Sequence, residues 1–225
     1  MTADTGAKHI AELEEDNGRL RQLLDQRDTP GELRHRLRST LSLLRAVVRR
    51  SADAGRDLSD YVAHLEDRLD AIVRAQALAD QHGEVNLLTL LVDELFQYGA
   101  SEGERLLLSG PDVWLQPRFG QVIALALHEL AVNALEHGAL GTNDGHVEVS
   151  WIVTAEPVPQ LTLSWTEHGP TSGRAPAAPG FGTEVLTRML AYEFKASTDL
   201  MFGPGGLRCT IVFALPEQVG RVVPG

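Results

Sequence analysis

Apolar residues recur at helical spacing through the first third of the chain. Ile10, Leu13, Leu20 and Leu24, with Asn17 among them, alternate at intervals of three and four, which is the seam of a short coiled coil over residues 1–29. Asn17 sits at a core position, where a carboxamide favours one register and a two-stranded state. Thr29-Pro30-Gly31 breaks the pattern, and Pro30 suits the first turn of a new helix. Leu33, Leu37, Leu41, Leu44 and Val48 make one stripe, Asp53-Ala54-Gly55 closes it, and Leu58, Tyr61, Val62, Leu65, Leu69, Ile72 and Gln76 make a second. The spacing predicts a helical hairpin over residues 30–83. A hairpin alone cannot bury both stripes, so two chains are expected to pair as a homodimeric four-helix bundle.

After Gly83 the pattern turns from charged helix to alternating, glycine-punctuated segments, which predicts a second domain over residues 84–217 and a tail at 218–225. Asn86 caps a predicted helix running to about Tyr98. Residues 105–109 and 113–115 read as a hairpin, and a helix is predicted from about Pro117 to Leu140. Strands follow at 146–153 and 160–165, then a loop rich in Pro, Ala and Gly, a helix from Gly182 to about Phe194, and a hairpin of 198–202 with 207–215. The expected class is α+β, with the helical hairpin followed by helices on one face of a mixed sheet.

Charge narrows the partners. The 225 residues carry a formal net charge of -11, which argues against a nucleic-acid partner, because phosphate backbones are held by Lys and Arg. The longest apolar run is broken by His128, Glu129 and Asn133, so no membrane span or signal peptide is read and a cytoplasmic location is expected. The one cysteine, Cys209, lies among Leu207, Thr210, Ile211 and Val212 and reads as a small strand hydrophobe.

Within the predicted 117–140 helix, Leu125, Leu127, Leu130, Ala131, Ala134 and Leu135 are core-type residues. Glu129 and Asn133, four apart, rise from one face, and Gly138 ends the helix. Magnesium prefers oxygen ligands and borrows several from substrate phosphates, so one Asn carbonyl from the protein can suffice; an ordinary solvated polar face is the alternative. Glu167, read just beyond a strand, offers a carboxylate able to accept an adenine amine hydrogen. Gly180, Phe181, Gly182 and Thr183 stand where a helix begins, a place where backbone N–H groups close around phosphates. His35 lies nearly opposite the apolar stripe of its helix, among Arg34, Arg36 and Arg38, with Glu32 three residues back; Glu32 can accept from one ring nitrogen and leave the other nucleophilic. His9, His64, His82 and His146 read as ordinary surface histidines.

Over residues 30 to 216 the chain resembles the HWE-type sensor histidine kinases, named for a His in the Asn-bearing helix and a Trp-x-Glu pair, here His128, Trp165 and Glu167. Glu32-Leu33-Arg34-His35-Arg36 matches the family's Glu-Leu-x-His-Arg phosphoacceptor box, with Ser39 where Asn is usual. The resemblance implies a two-layer ATP-binding domain of the gyrase and Hsp90 type. It also implies an ATP- and Mg2+-dependent kinase that phosphorylates its own His35 and passes the phosphoryl group to an aspartate of a response regulator receiver domain. Under it, Asn133 holds magnesium, Glu129 positions a water or metal ligand, and Glu167 reads adenine. His137, Trp165, Gly169 and the Gly180, Phe181, Gly182, Thr183 run complete the nucleotide-contacting set. Input is expected from a separate sensor protein through the N-terminal coil, or the chain is a catalytic fragment. A histidine phosphotransfer adaptor with a degenerate ATP pocket is the alternative function.

Overall fold

The computed structural model describes residues 18–19, 40–48, 58–98, 105–155, 157–169 and 180–223. The chain divides into two compact units, Met1–Asp70 and Ala71–Gly225. That division falls inside helix α1, Leu58–His82, rather than after Gly83. Ala71, Ile72, Ala75 and Ala79 recur at helical spacing and are buried, so the last turns of α1 join the second unit.

In the first unit residues 40–48 are helical, and Leu41 and Val48 of the expected stripe are buried together with Leu43 and Val47. Tyr61 Oη donates to the Val48 carbonyl at 3.5 Å. The coil seam from Ile10 to Leu24, the residues Glu32, Leu33, His35 and Leu37, and the Asp53-Ala54-Gly55 turn lie outside the described residues.

The second unit is α+β. Strand β1, Val85–Asn86, leads into α2, Leu87–Phe96, whose first turn is capped as expected: Thr89 N–H donates to Asn86 Oδ1 at 3.0 Å. Then come β2, Leu106–Ser109, β3, Asp112–Leu115, and α3, Pro117–Glu136. Strands β4, His146–Thr154, and β5, Gln160–His168, are followed by α4, Phe181–Glu184, a π turn, Val185–Met189, and α5, Leu190–Phe194. The chain closes with β6, Ser197–Gly203, β7, Gly206–Ala214, and β8, Gly220–Val223.

Five strands form a mixed sheet in the order β2-β4-β5-β7-β6, with β2 parallel to β4 and the other pairs antiparallel. Val147, Val149, Trp151, Leu161, Leu163, Trp165, Cys209, Ile211 and Phe213 are buried while their neighbours in sequence are not, so one face meets the helices. Phe194 of α5 joins the layers, 4.8 Å from the Phe119 ring of α3 and 4.5 Å from that of Phe213.

Three expectations are corrected. β2 and β3 are not a hairpin: β2 pairs with β4, while β3 lies between β1 and β8 in a separate three-stranded sheet. The Trp151 indole fills the corner between them. It abuts Gly110 so closely that a Cβ there would collide with the ring, and its Nε1 donates to the Pro111 carbonyl at 2.7 Å. Residues 220–223 are not tail but the edge strand β8, with Val113 opposite Val222. Helix α3 stops at Glu136, and a short 3-10 turn, Ala139–Gly141, follows, because the Ala139 N–H is taken by a carboxylate, that of Glu167.

Cys209 is fully buried on β7, and burial, helped by Asp199, pushes its thiol up to about 12. The thiolate is the reactive species, so native protein is expected to react with an aromatic disulfide reagent only as fast as it unfolds. Stoichiometric release of the coloured thiol before any loss of ellipticity would contradict this.

Candidate functional site

Helix α3 brings the first group of residues into place. From Gly120 to Ala131 every side of the helix is covered, so its polar residues cannot turn to water. Leu135, expected in the core, lies past that stretch and is 41% exposed. Glu129 is 95% buried by its 5% exposure, and Asn133, one turn later, is half-buried. Both face the start of α4: a Cβ on Gly182 would stand 2.9 Å from Glu129 Oε2 and 3.3 Å from Asn133 Nδ2. Only glycine allows that approach without displacing them. Gly180 caps α4 with extended backbone and open space around it, Phe181 is buried, and Thr183 is half-buried with its carbonyl accepting from Thr187. Glu129, Asn133 and the Gly180–Thr183 run, far apart in sequence, therefore meet.

Glu167 anchors a second group. It lies within β5 rather than beyond it, on the same face as Trp165, because its position continues the buried alternation Leu161, Leu163, Trp165. Its Oε2 accepts from the Ala139 N–H at 3.0 Å. A Cβ at Gly138 would collide with this carboxylate, and one at Gly206, where φ is +120°, would lie 2.5 Å from Glu167 Cβ. Burial pushes the Glu167 carboxyl above its ordinary range, and the Ala139 and Leu207 amides only partly offset it. Trp165 is wholly buried beside it, and its indole N–H lowers the same carboxyl a little. Gly169 packs against Gly145 and Ala139, and its N–H donates to the Gly205 carbonyl at 3.1 Å. Arg105 shapes the adjoining turn, donating to the carbonyls of Leu140 at 2.7 Å, Thr142 at 2.8 Å and Gly145 at 3.2 Å.

His137 behaves differently. It caps α3 with its backbone, its side chain is 74% exposed, and its ring nitrogen stands 3.6 Å from Glu136. His35 and Glu32 lie outside the described residues.

Sequence reasoning missed a buried polar cluster beside this site. Glu94 of α2 is 1% exposed; Arg74 of α1 donates to its Oε2 at 2.6 Å, and His128 Nδ1 lies 2.9 Å from its Oε1. The Tyr98 hydroxyl is 2.8 Å from the same ring nitrogen. The signal was present: Leu87, Leu90, Leu91, Glu94 and Leu95 share the buried stripe of α2, and a carboxylate on such a stripe requires a partner. Arg105 carried no comparable signal, since its partners are all backbone.

These elements meet a nucleotide's requirements in kind. The Glu167 carboxylate, dry and ringed by backbone donors, matches an amine donor such as adenine's, and the oxygens of Glu129 and Asn133 suit a hard cation beside phosphates. Among the described residues no three His, Cys, Asp or Glu side chains are grouped to hold a metal by themselves, so such a cation would take its other ligands from phosphate and water.

The HWE histidine kinase family matches residues 32–112. A blue-light-activated histidine kinase of Erythrobacter litoralis is 33% identical over 200 residues, 85% of this chain and 54% of its own length. The chain carries an HWE histidine kinase domain. A blue-light-activated histidine kinase of Rhizobium johnstonii is 31% identical over 78% of this chain and 50% of its own. The chain thus spans about half the length of the curated relatives it matches. In structure it is similar to the histidine kinase domain from an Erythrobacter litoralis blue-light-activated kinase, with a TM-score of 0.56, 15% identity, and coverage of 94% of this chain and 96% of that one. A longer chain of that kinase gives 0.59 at 18% identity, covering 86% of this chain and 63% of the other. At such identities the match speaks for the fold alone, an α+β domain built on a mixed sheet. Among the described residues no helix is long and apolar enough to cross a membrane.

Because the Glu167 carboxyl is raised above 4.5, the folded HWE domain keeps a proton that the unfolded chain has already released. Stability attributable to this group therefore falls as pH rises through the interval from the ordinary value to the raised one. Glu167→Gln has no proton to lose, so the thermal midpoint at about pH 8 minus that at about pH 4 should be a more positive difference in the variant than in wild type. An unchanged difference would assign the pH dependence elsewhere.

Proposed function

We propose that this chain is an ATP-dependent histidine kinase that phosphorylates His35 and passes the phosphoryl group to an aspartate of a response regulator receiver domain. The observation that carries the reading is the convergence of Glu129 and Asn133 on Gly182, with the buried Glu167 beyond the end of the same helix. The HWE histidine kinase domain supports the histidine kinase role.

In this reading Glu167 orients adenine, and the Gly180, Phe181, Gly182 and Thr183 run lies along the phosphates at the start of α4. Asn133, with Glu129 beside it, would hold magnesium, which when bound neutralises phosphate charge. His137, exposed at the rim, faces the solvent end, while Trp165 backs Glu167 from inside the core. Glu32 accepts from one ring nitrogen of His35 and leaves the other to attack. Phosphoryl transfer demands mainly alignment and charge neutralisation, so a chain offering few catalytic side chains is chemically adequate. The new bond joins phosphorus to the ring nitrogen, the bridging oxygen departs with ADP, and the histidine's proton goes to solvent or to Glu32. Residues 30–83 would pair with those of a second chain as a homodimeric bundle, residues 1–29 would receive input from a sensor, and the second unit, with the last turns of α1 and strand β8 included, would form the ATP-binding domain.

Incubation with γ-labelled Mg-ATP should give acid-labile, alkali-stable label on the wild-type chain. The label should vanish in His35→Ala and fall by about a hundredfold or more in Asn133→Ala. A chain that takes label only from a phosphorylated receiver domain is an adaptor, and that result would refute the kinase reading.

A further inference from the structure

The cluster of Arg74, Glu94, His128 and Tyr98 joins three elements that the nucleotide-site description leaves separate. Glu94 is buried among Leu87, Leu90, Leu91 and Leu95, where an ionised carboxylate is costly unless fully answered. Its answer comes from two directions: Arg74 reaches Oε2 from α1 at 2.6 Å, and His128 reaches Oε1 from α3 at 2.9 Å. A carboxylate paired with arginine only accepts hydrogen bonds, so the contact puts the hydrogen on His128 Nδ1 and fixes the ring's tautomer. Gln97 adds to the cluster: with its amide in the orientation that satisfies both ends, its oxygen accepts from Arg74 Nε at 2.7 Å. One helical turn and more away, Gln121 of α3 donates to Gln76 of α1 at 2.5 Å, a second polar tie between the same two helices.

The consequence follows from helix geometry. Consecutive side chains on α3 point about 100° apart, so the ring of His128 and the carboxylate of Glu129 leave the helix on different sides, one toward Glu94 and one toward Gly182. Apart from Gln121, His128 and Glu129, the buried side chains of α3 are apolar, and their contacts are non-directional and tolerate small rotations and slides. A charge-assisted hydrogen bond does not tolerate them. The rotational setting of α3, and with it the aim of Glu129 and Asn133, is therefore held by the polar cluster.

We infer that Arg74, Glu94 and His128 are positioning residues for the cation-and-phosphate end of the site, fixing α3 in rotation against α1 and α2 so that Glu129 and Asn133 point at Gly182. The inference rests on the nucleotide assignment of Glu129 and Asn133 made above. It assigns Arg74 a role in a site that it does not touch, and it gives α1 a direct mechanical hold on that site.

The test compares the full wild-type chain with Arg74→Met, which keeps length and removes charge at a partly exposed position, and with Arg74→Lys and Glu94→Gln. A fluorescent ADP analogue is titrated with magnesium and, separately, with a chelator in its place. Arg74→Met is expected to bind the analogue without magnesium within about twofold of wild type, while the affinity gained on adding magnesium falls by about tenfold. Arg74→Lys is expected to recover most of that gain. A long-range proton–nitrogen spectrum should show the Nδ1–H tautomer of His128 in wild type and its loss in Glu94→Gln. A lower thermal midpoint in Arg74→Met with the magnesium gain intact would make the cluster structural only and overturn the inference. Wild-type chain that binds no analogue under either condition would instead overturn the nucleotide reading, and the inference with it.

Discussion

Burial of helix α3 on every side over residues 120–131 is the constraint from which the second unit takes its arrangement. A helix covered on every side over residues 120–131 gains apolar burial along its whole length, but it has no polar face to turn to water. Each polar side chain on it must then be met by another element. Gln121 is met by Gln76, His128 by Glu94 and Tyr98, and Glu129 stands where a glycine begins the next helix. The result is that α1 and α2 are each tied to α3 at a polar point and α4 begins close against Glu129, while the sheet supplies the apolar floor through Trp165, Leu163 and Ile211.

That arrangement explains which parts of the structure were legible in the sequence. The strands β4, β5 and β7 alternate cleanly because one face is covered, and the Asn86 cap and the α3 core run are set by local chemistry. The hairpin expected of residues 105–109 with 113–115 failed because closeness in sequence does not say where the next strand pairs; here Trp151, forty residues beyond Pro111, occupies the corner and β3 goes to a different sheet. Strand β8 was missed for the related reason that four residues, of which only Gly220 is buried, leave too short a pattern to detect. The site shows the same division. Glu129, Asn133 and Glu167 were visible as carboxylates and a carboxamide on otherwise apolar elements, but Arg105 and Arg74 looked like any surface cation, because their partners are distant in sequence.

The Glu167 carboxylate marks where the two groups of site residues come nearest in logic. It ends α3 by taking the Ala139 N–H, so the residue assigned to the base of a nucleotide is also the one that stops the helix carrying the assigned metal ligand. The glycines at 138 and 206 are required by closeness to this one side chain, at the first through a would-be clash and at the second through that and a left-handed backbone. A carboxylate that is also a structural stop is held in place by backbone on both sides, a rigidity that suits the proposed reading of a flat base.

Stability alone does not account for the Arg74–Glu94–His128 cluster. Breaking one partner of a buried ion pair costs about 3–5 kcal/mol, yet replacing all partners with apolar residues of similar volume is often neutral or favourable. A fold selected only for burial would therefore be expected to carry leucine at 94, in line with Leu87, Leu90, Leu91 and Leu95 on the same stripe. What the charges add over leucine is direction: two hydrogen bonds at fixed angles, one from each neighbouring helix, where apolar packing would leave a shallow range of settings. Under the proposed phosphoryl transfer, in which alignment carries the chemistry, a fixed direction at Glu129 and Asn133 offsets the burial energy that the carboxylate forgoes.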